Sequence, residues 1–213
     1  MKTKTVFFTF FIILWGLLLV WGSVYFNNVF YQAVSQKPHN TYINDILSDL
    51  VLLFLGFMPV FWVPRFFGYQ VGDIPKHWKL LLGLAIFFTV APLVYRLAIG
   101  ATPFGANTWF FEAVVVPLAE ESLFRGILFT LMLWGFSKLF PERTAKSLTL
   151  VLSTLVFASA HLNNLGHYPT GFILFQVGFS LILGFAFGYT LLKTRSIYPA
   201  ILLHALFNLV GTV

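Results

Sequence analysis

The stretch AVVVPLAEESLFRGILFTLMLWGF, residues 113–136, decides what kind of molecule this chain is. A transmembrane helix needs about 20 mainly apolar residues, so the stretch is long enough to cross a bilayer. Its middle nevertheless carries Glu120, Glu121 and Arg125. A charged side chain at the bilayer centre costs about 2.5–3.5 kcal/mol on insertion scales, so such groups pair with one another or mark a functional site. Glu121 and Arg125 stand four residues apart, on one helix face, with the acid first as is preferred. This pair reads as a structural ion pair, in which a guanidinium neutralises and fixes one carboxylate. Glu120 is turned about 100° away. A carboxyl set between an apolar surrounding and a nearby arginine is a good general base.

Outward from this stretch, the rest of the chain is of the same kind. It is 59% hydrophobic and 9% charged, where a soluble domain carries about 25% charged residues. The expected fold is therefore all-α, a polytopic transmembrane bundle of about seven spans forming a single integral membrane domain over 1–213. Residues 1–107 would be accessory spans and 108–213 the catalytic core. The spans are placed at about Thr5–Phe26, Ile46–Val63, Leu80–Ile99, Thr108–Leu139, Ser147–Leu162, Gly171–Leu192 and Ile197–Val213. Helices are expected because lipid cannot satisfy open strand edges. The first apolar run is longer than the core of a signal peptide and reads as a retained helix. Pro117 should kink the fourth helix, because proline lacks a backbone donor and clashes one turn back. Gly184 and Gly188 form a small-xxx-small pattern suited to close helix packing. With no cysteine, disulfides and cysteine-bound zinc are excluded.

The net charge of +6 is not a nucleic-acid signature, since no basic stripe with interleaved aromatics exists. It belongs to the loops, where cations set orientation. Seven spans with a cytoplasmic N-terminus place ten cations inside: Lys2, Lys4, Arg65, Lys76, Lys79, Lys138, Arg143, Lys146, Lys193 and Arg195. Only Lys37 and Arg96 fall outside. The C-terminus is then outside, in a multi-pass protein of the cell membrane.

Two further patterns put polar groups into apolar runs. Phe157-Ala-Ser-Ala-His161 carries a histidine one turn after a phenylalanine whose expected job is packing. His204-Ala-Leu-Phe-Asn208 carries two groups, four apart, able to donate hydrogen bonds. Paired donors facing a cavity suit an oxyanion; interhelical hydrogen bonding is the alternative. Glu112, two turns before Glu120, could share its face but reads as a wet boundary residue. Asp49 reads as a cap or interfacial residue and Gln176 as an interhelical bonding group.

The ordered trio E-E-x-x-x-R, F-x-x-x-H and H-x-x-x-N resembles the CAAX protease and bacteriocin-processing (CPBP, or Abi) family of intramembrane proteases. The resemblance spans about Thr108–Val213. It implies that Glu120 activates water with help from His161, that His204 and Asn208 stabilise the oxyanion, and that Glu121, Arg125 and Phe157 support the site. It implies a peptide or protein substrate, lipidated or not, in contact with membrane lipid, in CAAX-type processing, leader-peptide maturation or bacteriocin self-immunity. No metal or other cofactor is expected; zinc on two histidines and a glutamate is the alternative, although no H-E-x-x-H helix is present. The rival class is a non-enzymatic membrane scaffold or immunity protein, or a proton-coupled transporter. Transporters show paired repeats or broken helices in both halves, and here one half is polar and the other plain. Substrate identity and oligomeric state are not legible.

Overall fold

The computed structural model describes residues 63–100, 109–165 and 170–211, together with Phe54 and scattered helical residues between Val6 and Val29. Among them the fold is all-helical, with no strand. Most of the second expected span lies outside the described residues.

A short 3-10 turn, Ile74–His77, leads into α1, Trp78–Ile99. The helix stops where Gly100 takes a left-handed φ of 66° and donates its N–H to Arg96 and Leu97 carbonyls, a common glycine stop. Helix α2, residues 111–139, is one continuous helical rod built from four stretches. A π turn at Phe111–Val115 precedes an α segment at Val116–Glu121. A second π stretch at Ser122–Phe129 precedes the α segment Thr130–Leu139. The effect expected of Pro117 is thus taken up as a change of winding. The Val116 N–H reaches back five residues to the Phe111 carbonyl, just before the proline that cannot donate. Pro141 ends the rod and opens α3, Glu142–Ala160, which finishes in a 3-10 turn, His161–Asn164. Helix α4 spans Thr170–Thr194 and α5 spans Tyr198–Val210.

Two contacts tie the 64–77 segment to the turn between α4 and α5. The Asp73 N–H donates to the Thr194 carbonyl at 2.6 Å, and the Ile197 N–H to the Gly68 carbonyl at 2.9 Å. The segment 64–77 therefore clasps the turn between α4 and α5. Asp73 adds ion pairs to Lys76 and Arg195, and these two cations hold its carboxyl below the usual range, Lys76 most. Tyr69 reaches deeper and hydrogen-bonds the Ser122 hydroxyl, which itself donates to the Leu118 carbonyl. Burial pushes the Tyr69 hydroxyl up to about 12, so it stays a neutral donor.

The core runs between α2, α3, α4 and α5, around Leu123, Phe124, Phe157, Leu183, Phe187 and Leu203. The N-terminal helix leans on α2 from outside: Thr9 and Ile13 meet Gly135, and Gly16 meets Leu131. Outward faces are apolar too. Helix α1 exposes Leu82, Ile86, Val90, Val94 and Leu97. Among the described residues, two helical stretches, Ile74–Ala98 and Thr170–Thr194, are long and apolar enough to cross a membrane.

The expected Gly184–Gly188 pattern packs tightly against α3, and at Gly188 also against α2. A Cβ at Gly188 would lie 2.7 Å from Leu150 Cδ1 and 3.0 Å from Phe129 Cε2; one at Gly184 would lie 3.1 Å from Thr154 Cγ2. Overpacking of this kind costs about 1–3 kcal/mol. Gly188→Val should therefore lower the unfolding midpoint of the detergent-solubilised protein, while Gly178→Ala, where a Cβ meets nothing within 4 Å, should leave it nearly unchanged.

Candidate active site

Glu121 is fully buried, with no exposed surface. An isolated carboxylate there would be very costly, and two partners reach the same oxygen. Arg125 Nη1 donates to Oε1 at 3.1 Å from the next turn of α2. His204 Nδ1 lies 2.9 Å from that oxygen across 83 residues of chain, from α5. The arginine is itself 2% exposed. Its guanidinium lies 4.0 Å from the Phe157 ring centroid and 5.2 Å from that of Phe187. Cation–π contact of this kind strengthens when the cation is desolvated. The π winding of Ser122–Phe129 surrounds this arginine, and the Thr130 hydroxyl donates to the Arg125 carbonyl across five residues.

His204 is thus held by a carboxylate on one edge and by a ring on one face, with the Phe187 centroid 5.4 Å away in stacked geometry. Its other nitrogen, Nε2, lies 4.0 Å from Glu120 Oε2. The two glutamates, adjacent in sequence, therefore bracket one imidazole. Glu120 keeps about a fifth of its side-chain surface exposed, and the space it faces is a cavity of about 270 Å³.

Glu120, Phe157, His161, His204 and Asn208 all line that cavity. Glu121 and Arg125 do not; they lie behind the lining as its support. Phe157 meets His161 edge-on at 5.3 Å and His204 at 6.4 Å, so it separates and spaces the two imidazoles. Asn208 donates one amide hydrogen to the Glu112 backbone carbonyl at 2.9 Å, in the π turn that begins α2. Its second N–H remains available to the cavity.

Some features lay beyond sequence reasoning. The Glu121–His204 contact and the stacking of Phe187 have no local signature. Glu112 and Gln176 also line the cavity; the helical spacing of Glu112 to Glu120 was the available signal. Phe172, Phe175, Phe179 and Phe207 form apolar walls. Asp49 lies outside the described residues. Among the described residues, no three His, Asp or Glu side chains are grouped to hold a metal ion.

The polar cluster thus sits inside an apolar helical bundle, facing a cavity walled by phenylalanines. The model of the family described as type II CAAX prenyl endopeptidase Rce1-like matches residues 102–210. The chain belongs to this family of proteases and is a membrane protein. No curated protein and no solved structure matches it.

Removing Arg125 would strand a buried carboxylate, and breaking a buried pair from one side costs about 3–5 kcal/mol. Arg125→Leu should therefore unfold the protein or greatly lower its thermal midpoint. The double variant Glu121→Gln/Arg125→Leu should recover part of the loss. Thermal unfolding in detergent checks both.

Proposed function

We propose that the protein is an intramembrane endopeptidase in which Glu120 activates water against a peptide carbonyl. The observation that carries this reading is the shared cavity: a partly exposed carboxylate, two imidazoles and a carboxamide come from three helices to one hollow. Glu120 takes a proton from water as the oxygen bonds to the carbonyl carbon. His161 supplies the second contact that aligns the water. The carbonyl electrons move to oxygen, and the Asn208 N–H and His204 Nε2–H stabilise the resulting oxyanion. His204 meets Glu121 through Nδ1 and turns Nε2 towards Glu120 and the cavity. The proton held by Glu120 then passes to the leaving nitrogen as the C–N bond breaks. Water is the nucleophile throughout, so no covalent enzyme intermediate forms and no metal is required. The apolar walls suit a peptide with apolar or lipidated residues beside the scissile bond; CAAX-type tails and leader peptides both fit this description.

Glu120→Gln preserves shape and removes the base. It should abolish cleavage, measured by comparing membrane-peptide profiles of cells carrying either form, while the folded protein accumulates normally. Asn208→Ala should lower kcat by about 10²–10³, as loss of an oxyanion donor does elsewhere. Cleavage should survive EDTA; loss with EDTA and recovery with zinc would reverse the metal-free assignment.

The orientation belongs to the same proposal. The junctions bearing Arg65, Lys138, Arg143, Lys146, Lys193 and Arg195 lie at the end of the bundle marked by the Asp73–Thr194 contact. The cavity draws on Glu112, His161, Phe172 and Asn208 towards the opposite end. Seven spans and the positive-inside rule then put the cations in the cytoplasm, the N-terminus with them, and the cavity mouth and C-terminus outside. The absence of native cysteine permits direct mapping. A cysteine at position 163 should react with an impermeant maleimide in intact cells, and one at position 146 only after lysis. Labelling of position 146 from outside would reject this orientation.

A further inference from the structure

A second hollow, of about 240 Å³, lies at the basic end, remote from the candidate active site. Arg65, Lys146 and Arg195 come to its rim from the 64–77 segment, the start of α3 and the turn after α4. Its depth is apolar, formed by Phe129, Leu133 and Leu191 between α2 and α4. Cations above a greasy slot match one chemistry: a phosphate headgroup with a hydrocarbon chain beneath it.

The rim is built, not incidental. Arg195 is the one non-glycine residue with positive φ, 55°, among the described residues. Backbone in that region persists only where its surroundings over-determine it. Here its N–H donates to the Leu191 carbonyl at 2.8 Å. Its carbonyl accepts from the Gln70 side chain at 3.0 Å, and its guanidinium holds Asp73. Lys146 is paired with Glu142. Arg65 is exposed and has no ion-pair partner among the described residues. The charges therefore do not cancel: three cations face two carboxylates. Lys76, Lys79, Lys138, Arg143 and Lys193 stand at the same end of the bundle.

We propose that this hollow binds an anionic phospholipid of the surrounding leaflet, its phosphate held by Arg65 with Lys146 and Arg195, its acyl chain lying along Phe129, Leu133 and Leu191. The floor of the site is the end of the π stretch that begins beside Glu121, so a bound lipid would pack against the helix that carries the Glu121–Arg125 pair. The proposal requires the chain to lie in a membrane and is independent of any cleavage chemistry.

The test uses the full chain in detergent, titrated with phosphatidylglycerol, phosphatidylcholine or inorganic phosphate, with bound lipid counted by native mass spectrometry. Phosphatidylglycerol should be retained about fivefold better than phosphatidylcholine, the preference expected from roughly one cation's worth of surface attraction. Arg65→Gln/Lys146→Gln should bring it down to the phosphatidylcholine level, and Arg65→Gln alone, at an exposed position, should lose much of the preference without affecting folding. Lys79→Gln/Lys138→Gln removes the same charge from the same end, away from the hollow, and should keep the preference. Equal retention of the two lipids, or equal loss in both double variants, would overturn the proposal. Displacement of the lipid by inorganic phosphate would overturn it too, by assigning the rim to a free anion.

Discussion

A carboxylate with no exposed surface organises this molecule. Glu121 accepts from Arg125 within α2 and meets His204 from α5. Replacing a buried ion pair with apolar side chains is often neutral or stabilising, so its net contribution to stability is a weak reason for its presence. What such a group supplies is specificity of arrangement. With Glu121 buried, α5 is turned so that His204 reaches its Oε1. Glu120, about 100° round α2, is left on the side of the hollow. One residue of the pair sets the scaffold and its neighbour faces the open space.

The winding of α2 follows from the same constraint. A π turn carries an extra residue per turn relative to the α form, and such turns gather at functional sites. Two occur in this rod, on either side of the glutamates. The first brings the Glu112 carbonyl to Asn208, and the second places Arg125 beneath Phe157 and Phe187. The proline between them cannot donate a hydrogen bond in any winding, and the five-residue reach of Val116 accommodates it. Ring faces thus cover the guanidinium beside its contact with Glu121.

Much of this was legible in residue spacing. Apolar runs bounded by Gly, Pro and basic residues placed α1 and α4 to within about two residues of Trp78–Ile99 and Thr170–Thr194. Four-residue spacing put Glu121 with Arg125 and Phe157 with His161, because contacts one turn apart depend only on the helix itself; His204 and Asn208, spaced likewise, both line the cavity. The Glu121–His204 contact spans 83 residues and depends on how two rods are rotated against each other, which no local period reports. The winding at Pro117 escaped for the opposite reason: it is local, but kinked and π-wound backbones leave the same residue pattern. Glu112 was placed on the right face, yet its depth depends on where the bundle closes, and that is set by the packing of α4 and α5.

The dimensions of the cavity constrain what can react there. About 270 Å³ is slightly below the range of ordinary small-molecule sites and equals the bulk volume of roughly nine waters. It can hold a few side chains of an extended peptide, not a helix, which is 10–12 Å across with its side chains. A membrane-embedded helix satisfies its own backbone groups, and opening it in lipid exposes donors and acceptors that nothing there can pair. On the proposed reading, a peptide bond entering this hollow would come from a segment already unwound: a chain end, or a stretch near the headgroups where water can satisfy the backbone. The apolar phenylalanine walls and the polar floor fit that geometry. On the proposed reading they would retain a greasy terminus by its side chains while the carboxylate, the imidazoles and the carboxamide meet its backbone.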